Sequence, residues 1–120
     1  MKFFIVIVLA LAVLGFASAQ QVGGYNPITF DPNNQQLVDI LNFGVQSALP
    51  QAIEAGQLSE GAWKWTNVIS AQAQVVAGTN YDFIVDIEDS TGDTARLDVI
   101  VFVPPGGSSA SLSSYAVYKL

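Results

Sequence analysis

The chain has 120 residues, ten acidic side chains against four basic ones, and a formal net charge of −6. So acidic a surface has little with which to neutralise phosphates, which excludes nucleic acid and anionic membrane surfaces as partners. With no cysteine and no histidine there is no cysteine nucleophile, Ser-His-Asp triad, thiolate or imidazole zinc site, or disulfide; the core alone must hold the fold, and neither a metal nor a cofactor is expected.

Lys2, an almost wholly apolar run over residues 3–16 and then Ala17-Ser18-Ala19 read as a secretory signal peptide cut after Ala19. The run is shorter than the roughly 20 residues a membrane span requires. Cleavage leaves one extracellular domain over residues 20–120, and the loss of Lys2 makes its charge more negative still. No Asn-x-Ser/Thr sequon is present.

Residues 20–30 contain Gly23-Gly24 and Pro27, no charge and little periodicity, and read as a flexible arm. Asp31 suits a helix cap and Pro32 the first helical position. Leu37, Ile40, Leu41, Gly44, Val45, Ala48 and Leu49 then recur at three- and four-residue spacing, predicting a helix over residues 32–49, roughly 27 Å long. Pro50 is expected to end or kink it. Residues 51–62, with Gly56 and Gly61, read as a connection.

From there the period changes to two. Residues 63–76 are predicted as a strand, broken at Ala77-Gly78-Thr79-Asn80. Tyr81, Phe83, Val85 and Ile87 alternate with Asp82, Ile84, Asp86 and Glu88, the pattern of a half-buried strand. A turn follows through Ser90-Thr91-Gly92, and Ala95, Leu97, Val99, Val101 and Val103 mark the next strand. Pro104-Pro105-Gly106-Gly107 interrupts the ladder, because neither proline can donate to it. Residues 112–118 form the last strand. One helix followed by four antiparallel strands is an α+β plan. The helix stripe should cover Tyr81, Phe83, Val85, Leu97, Val99 and Val101.

Gln74-Val75-Val76-Ala77-Gly78 stands at a strand-loop-strand junction and is apolar and uncharged. Pattern alone leaves two readings: a strand end in which Gly78 supplies a positive φ, or a projecting hairpin tip made for contact. The segment matches the Q-x-V-x-G signature of cystatins, and Thr79-Asn80-Tyr81 continues it. Gly23-Gly24 lies where cystatins carry an arm glycine. Val103-Pro104-Pro105-Gly106 occupies the second-hairpin position, and Leu112-Ser113-Ser114-Tyr115 is similar to a Leu-Thr-Gly-Tyr stretch of stefins. Over residues 20–120 the chain resembles a disulfide-free, stefin-like cystatin.

The resemblance implies a cystatin-like α+β fold, one long helix packed across a four- to five-stranded antiparallel sheet. It also implies a reversible, noncovalent, non-enzymatic inhibitor of papain-like cysteine proteases of the cathepsin type. The protease-binding residues would be Gly23 and Gly24 in the arm, Gln74, Val75, Val76, Ala77 and Gly78 in the first hairpin, and Pro104, Pro105 and Gly106 in the second. The inhibitor would act as a monomer, with a strand-exchanged dimer as the alternative. On this reading Gly78→Glu weakens inhibition with little change in thermal stability. One departure is that Pro104-Pro105 stands where many secreted cystatins have Pro-Trp, removing a large apolar anchor. The rival reading is a secreted cystatin-like structural or interaction protein that has lost inhibition.

Three further features carry less. Trp63 and Trp65 read as partial core or sheet edge before a binding platform. Asp86, Glu88, Asp89 and Asp93 fail the spacing of a calcium loop and read as a solvated turn. Asp89-Ser90-Thr91-Gly92 has one residue too many for an aspartic-protease element and no second copy.

Overall fold

The computed structural model describes residues 24–107 and 109–120; the expected signal peptide, its expected cut after Ala19, and Gly23 lie outside the described residues. In chain order the elements are β1 (Asn26–Pro27), α1 (Gln35–Glu54), β2 (Lys64–Val76), β3 (Gly78–Glu88), β4 (Thr94–Val103), a 3-10 turn (Pro105–Gly107) and β5 (Ser111–Lys119). The strands form one five-stranded sheet in the order β1-β2-β3-β4-β5, every pair antiparallel. This is the expected α+β plan, with a short fifth strand contributed by the arm.

The helix starts and stops later than the pattern predicts. Asp31 spends its carboxylate on the Asn33 N–H (2.9 Å), and the cap is Asn34, whose Oδ1 accepts from the Leu37 N–H at 3.3 Å. Pro50 lies inside α1 and does not end it. Pro50 and Gln46 are both exposed, so water can take the carbonyl that a proline four residues on leaves unbonded. The stop is at Gly56. Its φ of +76° permits bonds from the Gly56 N–H to the Ile53 carbonyl (3.0 Å) and from the Gln57 N–H to the Ala52 carbonyl (2.9 Å). That is the Schellman arrangement, which satisfies the last carbonyls of the helix, and Leu58 beyond it is buried.

The predicted stripe is the buried face of α1: Leu37, Ile40, Leu41, Gly44, Val45, Ala48 and Leu49, extended by Ala52. It packs on Phe83, Val85, Ile87, Leu97, Val99 and Val101, all fully buried. Each such side chain contributes about 1.5–3 kcal/mol before chain entropy opposes it. Gly44 permits the closest approach: a β-carbon there would lie 2.6 Å from Val101 Cγ2 and 3.1 Å from Val99 Cγ2.

Two irregularities bend β2. Its pairing with β3 slips between Trp65 and Asn67 and again between Val68 and Ser70, leaving Thr66 and Ile69 as extra residues, as in β-bulges. Trp65, Val68 and Ala71 therefore face the core at a spacing of three, and Ile69 is turned outward to 43% exposure.

Candidate functional site

A single residue, Ala77, separates β2 from β3. Val76 pairs with Gly78, Val75 with Thr79 and Gln74 with Asn80, so the break expected over residues 77–80 is narrower than predicted. Asn80 Nδ2 donates to Gln74 Oε1 at 3.1 Å, closing the neck of the hairpin. Gly78 has a φ of +115°, and a β-carbon on it would stand 2.6 Å from the Val103 carbonyl oxygen and 2.8 Å from two ring carbons of Phe102. Both the backbone angle and the space demand glycine. This corrects the expectation for Gly78→Glu: such a change strains the fold and does not isolate binding. Val75 extends the inner face of the sheet beyond the apolar core and is 70% exposed; Ala77 is exposed, while Gln74, Val76 and Gly78 are half-buried.

The second hairpin begins where Val103 pairs with Thr79. Pro104 is half-buried, and Pro105 and Gly106 are exposed. Gly106 turns the chain at a φ of +81° with nothing within 4 Å of where a β-carbon would be.

The arm is more anchored than its composition predicts. Asn26 pairs with Ala73 and Pro27 with Gln72, and the Ile28 N–H donates to the Ala71 carbonyl at 3.0 Å. Phe30 sets its ring edge-on against Trp65 (centroids 6.0 Å) and Phe83 (6.1 Å). Gly24, ahead of the paired residues, is exposed. Tyr25 next to it has its phenol pushed up to about 12 by burial and by the carboxylates of Asp82 and Asp98.

Register brings these three segments together. β1 runs against β2, so Gly24 lies toward the Val76 end of β2; the pairs Val76–Gly78, Thr79–Val103 and Phe102–Ser111 place both hairpins at that same end. The two hairpins lie two strand spacings apart, about 10 Å. None of Gly24, Gln74, Val75, Val76, Ala77, Gly78, Pro104, Pro105 or Gly106 carries a charge. The acidic turn at Glu88, Asp89 and Asp93 is at the opposite end, where Glu88 pairs with Thr94.

A family model described as "Cystatin domain" matches residues 23–97. The chain belongs to the cystatin family. A protein named cysteine proteinase inhibitor 5, from Arabidopsis thaliana, is 32% identical over 109 residues, covering 91% of this cystatin and 83% of its own length. Cysteine proteinase inhibitor 8, from Oryza sativa subsp. japonica, is 28% identical over 120 residues, covering 92% and 91%.

The remaining candidates in this cystatin have structural partners. Trp65 Nε1 donates to Asn42 Oδ1 at 2.8 Å, tying α1 to β2, and Trp63 Nε1 donates to the Ser59 carbonyl at 2.8 Å. Asp89 Oδ1 accepts from the Thr91 hydroxyl, the Thr91 N–H and the Asp93 N–H at 2.8–3.0 Å. These bonds, the Thr91 hydroxyl foremost, hold the Asp89 carboxyl below the usual carboxylate range. Asp86 pairs with Arg96 at 3.0 Å.

Sequence reading missed four features: Phe30 and Asn42 as packing partners, Phe102 beside Gly78, and a carboxyl pair on the outer sheet face. Asp82 faces Ile100 and Asp98 faces Ile84 across the β3–β4 ladder, which makes the two acids diagonal neighbours. Burial, then a hydrogen bond and the charge of Asp82, push Asp98 up to about 9. Asp82 Oδ1 and Asp98 Oδ1 are buried without a hydrogen-bond partner. Alternation of acids with apolar residues in β3 was visible; their pairing needed the register.

Proposed function

We propose that this cystatin inhibits papain-like cysteine proteases of the cathepsin type, reversibly and without covalent chemistry, by filling their active-site groove with the arm and the two hairpins. The observation that carries this reading is the alignment of three uncharged segments, at Gly24, Ala77 and Pro104–Gly106, along one end of a rigid sheet. The names of both relatives support the inhibitory activity itself. An uncharged tip enters a cleft without burying an unpaired charge, and a hairpin already hydrogen-bonded at its neck loses little freedom on docking. The protein is not an enzyme, and no bond is made or broken in the process described. Val75 is the side chain best placed to be buried by the protease, because its pairing lies in the hairpin and most of its surface faces solvent. Pro104 and Pro105 supply a smaller apolar surface than a tryptophan, so the primed side of the groove is held less firmly.

The reading extends to place and assembly. The leader over residues 1–19 directs the chain out of the cell, and the inhibitor acts as a monomer.

The test is titration of papain with protein beginning at Gln20, then with Val75→Asp and with a chain lacking residues 20–24. The parent should titrate the enzyme, and each variant should weaken inhibition by about tenfold or more, equivalent to roughly 1.4 kcal/mol, at unchanged melting temperature. Variants that inhibit like the parent would sink the docking model. A parent without effect on any of several papain-like enzymes would sink the function.

A further inference from the structure

Strand alternation puts Phe102 on the outer face of the sheet, opposite Asn80 on β3 and Ser111 on β5, away from the α1 core. An aromatic ring between two polar cross-strand partners on that face has no part in the α1 core, and yet it is half-buried. What it covers is the first hairpin. Two of its ring carbons would stand 2.8 Å from a β-carbon on Gly78, so the ring lies against the bare Cα of that glycine. The carbonyl of Val103, the next residue, closes the other side at 2.6 Å from the same point.

We propose that Phe102 is a positioning residue that locks the Ala77 hairpin to the Pro104–Gly106 hairpin, so that both reach a protease as one rigid body. This rests on the inhibitory reading above and names what fixes the geometry of that site. Phe102 lies two residues before Pro104 on the strand that carries the second hairpin, and its ring reaches diagonally past Asn80 to the tip of the first. The Thr79–Val103 ladder pair already joins β3 to β4 below the tip, and the ring adds a second contact one residue closer to the turn, at Gly78. With the ring wedged against Gly78, twisting the tip away from the second hairpin requires breaking a close van der Waals contact. The ordering cost is then met on folding, not on binding. Gly78 thus has two reasons to lack a side chain: its backbone angle, and the seat it offers the ring.

The experiment measures papain inhibition by the parent, Phe102→Leu and Phe102→Trp, and combines the first with Val75→Ser and Pro105→Ala in double-mutant cycles. Phe102→Leu should weaken inhibition by about tenfold, and Phe102→Trp should restore most of the loss. In the parent, the effects of Val75→Ser and Pro105→Ala should be non-additive, as expected for coupled sites; in the Phe102→Leu background they should add. A merely structural role would lower stability without changing that coupling. Proton NMR supplies a readout independent of any protease: ring-current shifts at the Gly78 α-protons, lost in Phe102→Leu. Additive effects already in the parent, or Gly78 α-protons unshifted by the ring, would overturn the positioning role alone. Failure of the parent to inhibit would overturn the inhibitory reading, while the NMR result would still report whether the contact exists.

Discussion

Gly78 and Val103 approach so closely that a β-carbon on the glycine would lie 2.6 Å from the valine's carbonyl oxygen. The contact joins the start of β3 to the end of β4, and so joins the two hairpins that carry the candidate site. Because the obstructing atom belongs to the backbone, it cannot rotate away. Gly78→Ala should therefore destabilise the fold by about 1–3 kcal/mol, from a disfavoured φ plus the clash. Chemical denaturation checks this, and an unchanged midpoint would show that the hairpins are not in contact.

Gly44 gives a second test, in which two effects oppose each other. Alanine is better than glycine within a helix by roughly 0.8–1 kcal/mol. Its methyl group, however, would meet Val101 Cγ2 at 2.6 Å, and a β-branched valine has few alternative rotamers. Overpacking of this kind costs about 1–3 kcal/mol, so Gly44→Ala should lower the melting temperature. A rise would mean that α1 stands farther from β4.

Asn42 and Trp65 test how the helix is held against β2. Asn42→Ala leaves the half-buried indole N–H without its 2.8 Å acceptor, at a cost of about 1–3 kcal/mol. The near-ultraviolet circular dichroism of the tryptophans should change with it. A variant of parental stability would show that water replaces the amide.

The Asp82–Asp98 pair makes stability depend on pH. Asp98 is raised to about 9 in the fold, chiefly by burial and then by the hydrogen bond and charge of Asp82. A raised folded-state value means that the folded protein binds a proton the unfolded chain releases. The stabilisation is complete below the unfolded value near pH 4 and is lost as pH rises through about 9. Within that window stability should fall by up to about 1.4 kcal/mol per pH unit. The groups around the pair are Tyr25 just ahead of β1, Tyr118 on β5 and the Asp86–Arg96 ion pair one row away. Asp89, held low by its bond from the Thr91 hydroxyl, acts in the opposite sense, losing its contribution only as pH falls below the ordinary carboxylate range. Urea midpoints across this pH window should decline for the parent and flatten in Asp98→Asn. Parallel curves for the two proteins would contradict a proton held by Asp98 in the fold.

The parts legible from the chain are those that local pattern controls. The α1 stripe and the alternation in β3 and β4 emerge as predicted, because each reports only which side of one element meets the core. Misreadings occurred where two local signals competed. Asp31 and Asn34 are both good caps, and Asp31 is drawn off by the Asn33 N–H. Pro50 signals a stop, but burial of Ala52 and the turn at Gly56 carry the helix through it. In β2, two bulges convert the period of two into a spacing of three that imitates a helix. Phe30 looked like part of a free arm because its partners, Trp65 and Phe83, are more than thirty residues away in the chain.

Residue order and periodicity were enough for the class of fold, the identity of most core positions and the Q-x-V-x-G resemblance, since all three are properties of short stretches of chain. The packed sheet was needed to bring Gly24, Ala77 and Pro105 to one end, to seat Phe102 on Gly78 and to pair Asp82 with Asp98. Those relationships depend on strand order and register, which are set by how distant segments bury their apolar faces against one another.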